Sequence, residues 1–429
     1  SFSMKHWGLF LFALALAACH DDNQPEPQPD YYITPEEDEI EADCNGVKQR
    51  IAVSSNCDWH PGAVPEWCVV QKITADGKEY LDVEVLPNTE ETSRDTTIPL
   101  LYGRRIATAT LTVTQSGKEP VDRLKWSLFS IYPVLYNPDA TYEVLEDNIT
   151  RRYQISGKAV FTNPSWRKQI FPGNAISCRS DMLTLTDYQD KFTFNPITLC
   201  TTAAVGSELA FRDLPEPSYE KFNEWIREIT VALPKEGLGL IYNNIPTQYY
   251  SYRHLHLLGV GNLGLKLDEL ISGKPYTEKE MAKSTGLIYD FTYNWFSTIM
   301  DFPDKPINET ISDEDRRDLR FINNVYFGIT ALLLVETNYG YTEANRVTRK
   351  IMKGEELNGE ETKIGNDLTA YYIYFDKSGT LRTETGGRIL IGKYFHDITT
   401  LEGGIVPLCF TTFTASGNEG QMEVTFDLP

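Results

Sequence analysis

The run "FINNVYFGITALLLVETNYG", residues 321–340, restricts the fold more than any other part of the chain. From Ala331 to Val335 every position is apolar, so neither face of a strand there can be left to water. The run is too apolar for a solvent-facing loop. As a helix it is interrupted by Gly328 and ends on Glu336, and it falls short of an uninterrupted span of about 20 apolar residues. β-branched and aromatic residues suit a pleated backbone, and the reading is a central strand covered on both sides. Such a strand demands further layers above and below it. Gly328 is tolerable at a bend or where another backbone comes close.

Candidate layers flank this run. "PSYEKFNEWIREIT" places Phe222, Trp225, Ile226 and Ile229 at three- and four-residue spacing, with Ser218 as cap, and predicts a helix. "TEANRVTRKIMKG" predicts another, with Ala344, Val347 and Ile351 in one stripe. "GLIYDFTYNWFSTIMDFP" alternates as a strand, with Leu287, Tyr289, Phe291, Tyr293, Trp295 and Ile299 on one face. "LTAYYIYF" (368–375) is a strand apolar on both faces.

The tract "RHLHLLGVGNLGLKLDELI" satisfies two periods at once. Extended, it puts Leu255, Leu257, Leu263, Leu265 and Leu267 on one face; as a helix, Leu263, Leu267 and Leu270 form a stripe. A tilted membrane strand needs only about 9–11 residues, and this tract and the one at 286–303 both reach that. Periodicity equally fits a solvated sheet edge covered by a small helix.

Before residue 118 the pattern is purely β. "GVKQRIAVSS", "EWCVVQKI", "YLDVEVLPN", "TTIPLLY" and "ATATLTVTQSG" are short alternating runs separated by turn residues, which predicts a small sandwich over 38–118. Trp59 and Trp67 are read as core anchors. The formal net charge of -21, from 61 acidic and 40 basic residues, excludes a nucleic-acid backbone as partner. No G-x-S-x-G, H-E-x-x-H or phosphate loop is present, so no catalytic residues, cofactor or enzyme activity are expected. Of the seven cysteines, Cys44, Cys57 and Cys68 fall in the first region and Cys178, Cys200 and Cys409 in the second. They permit at most one bridge in each, and the histidines do not join them at zinc-ligand spacing, so no metal site is expected.

The N-terminus carries an apolar run from Leu9 to Ala18 behind Met4 and Lys5, the length of a secretion signal. It ends in Leu16-Ala17-Ala18-Cys19, which resembles a bacterial lipobox. That resemblance implies a signal peptide over 1–18 and acylation of Cys19. Residues 19–37 are acidic and Pro-rich and are read as a tether. An acidic start after the lipid cysteine resembles the export signal of Bacteroides-type lipoproteins, implying an outer-membrane protein facing outward.

Two further stretches resemble known families. The order Cys57-Asp58-Trp59, Trp67, "LDVEVLPN", Arg94 and "IATATLTVTQSG" resembles the BACON domain, an immunoglobulin-like module, and implies a stalk or a glycan contact. Over 121–429, "IFPGNAI", "EKFNEWIREI", "GLIYDFTYNWFSTIMDFPDKP", the run at 320–354 and "GGIVPLCFTTFTASGN" resemble, in order, pieces of the thiol-activated, cholesterol-dependent cytolysins. The implied fold is an α+β body of the MACPF/CDC type, a bent antiparallel sheet flanked by helices.

The resemblance implies oligomerisation into a ring. Two segments, about 252–300 and within 351–400, would convert from helices to membrane hairpins. Leu255, Leu257, Leu263, Leu265, Leu267, Tyr289, Phe291, Tyr293 and Trp295 are then the candidate membrane-inserting residues. Tyr326, Phe327 and Gly328 match the family's tyrosine–glycine switch, where a strand edge is freed for the next subunit; the order Tyr-Phe-Gly-Ile departs from the family and lacks its arginine. No Trp follows Trp295, so the family's Trp-rich undecapeptide and its sterol recognition are not expected. A different receptor is implied. The other reading of the same scaffold is a non-lytic surface protein for adhesion or glycan binding.

Overall fold

The apolar run at 321–340 is the second of two long strands at the centre of a ten-stranded sheet. The computed structural model describes residues 30–103, 109–129, 138–236, 238–240, 242, 245–275 and 280–429. The signal peptide expected over 1–18, Cys19 and most of the tether expected over 19–37 lie outside the described residues.

The long strands are β1 (Thr285–Asp301) and β2 (Leu319–Thr337), paired antiparallel from Thr285↔Thr337 to Ile299↔Asn324. Beyond them β3 (Thr369–Phe375) pairs with β2 and with β4 (Leu381–Gly386), and β5 (Val406–Thr414) also pairs with β2. Helices around this sheet include α1 (Tyr219–Ala232), α2 (Tyr252–Leu263), α3 (Leu267–Ser272), α4 (Tyr341–Lys353), α5 (Gly359–Asp367) and α6 (Arg388–Thr400).

Why the run has no polar face is now explicit. Ile329, Ala331, Leu333 and Val335 point into a core shared with Ala344 and Val347 of α4 and Ile391 and Tyr394 of α6. Leu332 and Leu334 point the other way, into a core with Tyr252, Leu255 and Leu258 of α2. Farther down, Phe321, Val325 and Phe327 meet Phe222, Trp225 and Ile229 of α1. Helix α1 begins as its sequence dictates, with the Ser218 hydroxyl accepting from the Lys221 N–H at 3.2 Å.

One open reading is settled and one expectation needs correction. Of its two periods the tract at 253–271 adopts the helical one, forming α2 and α3, because its apolar residues are needed on several sides at once. Leu257 and Val260 join the α1 core while Leu255, Leu258 and Leu267 join the other. In β1 the predicted odd face ends early. A bulge between Asn294 and Phe296 inserts Trp295, so past it Phe296 and Met300 turn inward and Ile299 is exposed.

Ahead of the body, two four-stranded sheets face each other across one core. One joins Ile33–Pro35, Val47–Ser55, Lys78–Val85 and Cys68–Ala75; the other joins Glu39–Ala42, Ala109–Gln115, Arg94–Tyr102 and Trp59–Pro61. Trp59, Leu81, Val83, Ile98, Leu111 and Val113 fill the space between them. Trp67 is half-buried, with the Arg94 guanidinium 4.6 Å from its ring centroid. This unit starts before residue 38, for Ile33 is buried and Ile33–Pro35 pairs with Val53–Ser55. Ile33–Pro35 thus belongs to this unit and not to a tether, contrary to the expectation for 19–37.

Candidate membrane-contact and assembly elements

Tyr326, Phe327 and Gly328 sit where the sheet changes partners. On one edge of β2, β5 pairs with Arg320 through Gly328 and β3 takes over at Ala331. The β2–β5 register slips between Tyr326 and Phe327, and the β1 bulge lies directly across at Asn294/Phe296. The extra residues are Trp295 in β1 and Leu408 in β5, and a bulge bends the strand that carries it and raises the local twist. Gly328 is required there: a Cβ would stand 1.9 Å from the Tyr293 carbonyl oxygen and 3.0 Å from Leu408 Cδ1. Phe327 is a core residue stacked on Phe296, centroids 5.2 Å apart. Tyr326 is half-buried and its hydroxyl accepts from Asn324 Nδ2 at 3.3 Å.

The next crossing of β2 carries Glu336, fully buried. Its carboxylate accepts from the Tyr249 hydroxyl at 2.8 Å and from that of Tyr252 in α2 at 3.2 Å. These two bonds tie α2 and the strand at Thr247–Tyr249 to the far end of β2. The His256 ring lies 2.9 Å from buried Asp268 and joins α2 to α3. Asn262 accepts from the Phe129 N–H and donates to the Ser127 carbonyl, strapping residues 127–129 over α2. Helix α2 is thus enclosed rather than amphipathic. Gly259 and Gly261 cost it helix propensity, roughly 1 kcal/mol each against alanine, but they admit Leu265 and Leu267 at one and the Trp126 indole at the other. Packing, not local preference, holds it helical.

The structure separates the candidate membrane-inserting residues into two groups. Leu255, Leu263, Leu265 and Leu267 belong to the α2–α3 side of the sheet, and Leu257 lies on α2's opposite flank among the α1 core. Tyr289 and Phe291 are buried on the α4–α6 side, with Tyr293 and Trp295 half-buried beside them. The leucines and the aromatics are thus not brought onto one face. The second segment, 351–400, contains the end of α4, α5, the already paired strands β3 and β4, and α6. In β3, Tyr371 and Ile373 face one core and Ala370 and Tyr372 the other.

The cysteines at 44, 57, 68, 178, 200 and 409 are free thiols. Cys409 is fully buried in β5, where burial pushes its thiol well above the usual range. Among the described residues no three His, Cys, Asp or Glu side chains gather as a metal group, and no helix is long and apolar enough to cross a membrane. Sequence reading missed Glu336 and its two tyrosines, although an acid closing an apolar run was a visible signal. It also missed Arg346 and Arg349 of α4, which reach across to the N-terminal unit.

No family model matches the chain. Over 136 residues it is 26% identical to the xyloglucan-specific endo-beta-1,4-glucanase BoGH5A of Bacteroides ovatus, covering 31% of this chain and 24% of that enzyme. The chain thus spans about a quarter of the length of the curated relative it matches. Among solved structures it is similar to a non-hemolytic pneumolysin from Streptococcus pneumoniae, at 14% identity and TM-score 0.48, over 72% of this chain and 71% of that one. Listeriolysin O is similar at 12% identity and TM-score 0.48, over 72% and 69% of the two chains. The human-specific toxin intermedilysin gives 12% identity and TM-score 0.46 over 71% of each.

Proposed function

We propose that the protein is a non-catalytic, lipid-anchored surface protein whose cytolysin-like body self-associates and acts on membranes through a receptor other than sterol. One observation carries this reading. The long β1–β2 pair carries a bulge opposite Phe327–Gly328 and exchanges its edge partner between Gly328 and Ala331, next to and inside the stretch whose sequence resembles the family's switch. Helices cover both faces of that pair, as the resemblance implies for a sheet able to shed its cover. On this reading 252–300 and part of 351–400 leave the body as hairpins. Their backbone groups need neighbouring chains, since unpaired N–H and C=O groups in hydrocarbon cost several kcal/mol each. Acylated Cys19 holds the protein on the outer membrane, facing outward, with two or more acyl chains needed for firm attachment.

The test is dye leakage from liposomes and cells of varied lipid composition, with sizing and electron microscopy of the protein on those membranes. Rings accompanied by leakage are expected. A protein that stays monomeric at high concentration and leaks no membrane overturns the reading. Mass spectrometry of the membrane fraction tests the anchor, and unmodified Cys19 in a soluble mature protein rejects it.

A second reading, a non-lytic surface protein binding glycans or serving adhesion, draws support from two observations. Enclosed α2 must break the Glu336, Asn262 and His256 contacts before it can move. The BACON-like residues of the N-terminal unit favour an immunoglobulin-like, glycan-contacting role for it, and a stretch of 136 residues of the chain is similar to part of an enzyme named for xyloglucan.

A further inference from the structure

Helix α4 is gripped from both sides. Ala344, Val347 and Met352 pack onto the β1–β2 core. Arg346 and Arg349, one helical turn apart, point away from that core toward the N-terminal unit. There the edge strand Glu39–Ala42 alternates strictly: Ile40 and Ala42 are buried in its own core, leaving Glu39 and Glu41 outward.

Arg346 meets Glu41 at 2.6 Å and Arg349 meets Glu39 at 2.7 Å, with Thr114 Oγ1 also accepting from Arg349 at 3.3 Å. The seam continues into α5, where Glu361 lies 3.4 Å from Arg346 and 2.9 Å from Lys350. Arg349 keeps only 12% of its side-chain surface and Glu41 16%, so these pairs are largely desolvated.

Their satisfaction is incomplete. Glu41 Oε1 and Arg349 Nε are buried without a hydrogen-bond partner. Burial pushes the Glu41 carboxyl up to about 7 against the pull of Arg346. The seam opens into a polar cleft of about 770 Å³ that salt and water can enter. Desolvated ion pairs with unmet groups add little net stability. An interface between units within a chain, when small and polar, is expected to open and close.

We propose that the N-terminal unit is a releasable latch on the body: Glu39 and Glu41 hold α4 down on β1 and β2 through Arg349 and Arg346, and their release lets α4 open. The contact stands independently of membrane activity. Only its consequence, that an opened α4 uncovers the long strand pair, rests on the reading above.

The test is amide hydrogen exchange of α4 in the full chain, for the wild type, Glu39→Arg, Arg349→Glu and the double exchange. Glu39→Arg is expected to speed exchange at 345–353 about tenfold, while amides of the two N-terminal sheets keep their protection. The double exchange is expected to return α4 to within about threefold of wild type, because it rebuilds the pair with reversed polarity. Unchanged α4 exchange in Glu39→Arg, with the N-terminal sheets still protected, overturns the latch. Should that variant unfold the sheets, Glu39→Gln and wild type in 0.5 M sodium chloride replace it. Faster α4 exchange in both supports the latch, and no change in either overturns it. Leakage is not needed for any of these outcomes, so a non-lytic body and a false latch are told apart.

Discussion

Replacing Gly328 by alanine tests whether the sheet's change of partners depends on backbone approach. The new Cβ would lie 1.9 Å from the Tyr293 oxygen and 2.9 Å from its carbonyl carbon, where ordinary contact needs above 3 Å. More than 1 Å of relief must come from the backbones of two central strands paired with each other along this stretch, so no flexible side chain can absorb it. Overpacking in cores costs about 1–3 kcal/mol, and a backbone-to-backbone clash belongs at the upper end, about 3 kcal/mol. A body of roughly 300 residues has an unfolding entropy near 0.6 kcal/mol/K, so the midpoint should fall by about 5 °C. Thermal unfolding followed by tryptophan fluorescence and by circular dichroism reads this. Gly392→Ala is the control: it lies inside α6 with no heavy atom within 4 Å of its added Cβ, and a gain of up to about 1 kcal/mol is expected. A Gly328→Ala midpoint within 1 °C of wild type would refute the steric argument.

Trp225→Ala should cost about 3–5 kcal/mol, since the indole is fully buried and donates to the Leu209 carbonyl at 2.9 Å; denaturant unfolding that shows under 1 kcal/mol would contradict this. Tyr252→Phe removes one donor from buried Glu336 and should destabilise by about 1–2 kcal/mol, with faster amide exchange in α2. Glu79 in the N-terminal unit is held down at about 2 by the Ser55 hydroxyl first, helped by Lys72 and the Trp59 indole. A carboxylate with a lowered pKa contributes stability that is fully present above about 4.5 and lost as pH falls through about 2. After discounting for partial exposure the contribution is about 2 kcal/mol, and Glu79→Gln should flatten the acid limb of an unfolding-versus-pH curve.

Much of the fold was legible because apolar demand is local. Ala331–Val335 announced a strand buried on both faces, and Phe222, Trp225, Ile226 and Ile229 announced α1 with Ser218 as its cap. The tract at 253–271 could not be decided from periodicity, because α2 buries Leu255 and Leu257 in different cores and a helix enclosed on several sides shows no single stripe. Candidate site residues fared differently. Gly328 carried its signal in its type, whereas Arg346 and Arg349 look like ordinary solvent-facing charges until Glu39 and Glu41, about 300 residues earlier, are brought to them. No residue within α4 encodes that partner.

Trp295 acts as a parity bit in a seventeen-residue strand. While the bulge persists, residues on its two sides obey opposite inside–outside rules, so β1 carries two half-strands of reversed sense. Ironing out the bulge by sliding one residue would turn every side chain on one side of it inside out, exchanging Phe296 and Met300 for Ser297 and Ile299. Nothing gradual lies between the two registers. A strand built this way stores a binary choice about which residues meet the core, and a single inserted tryptophan sets it.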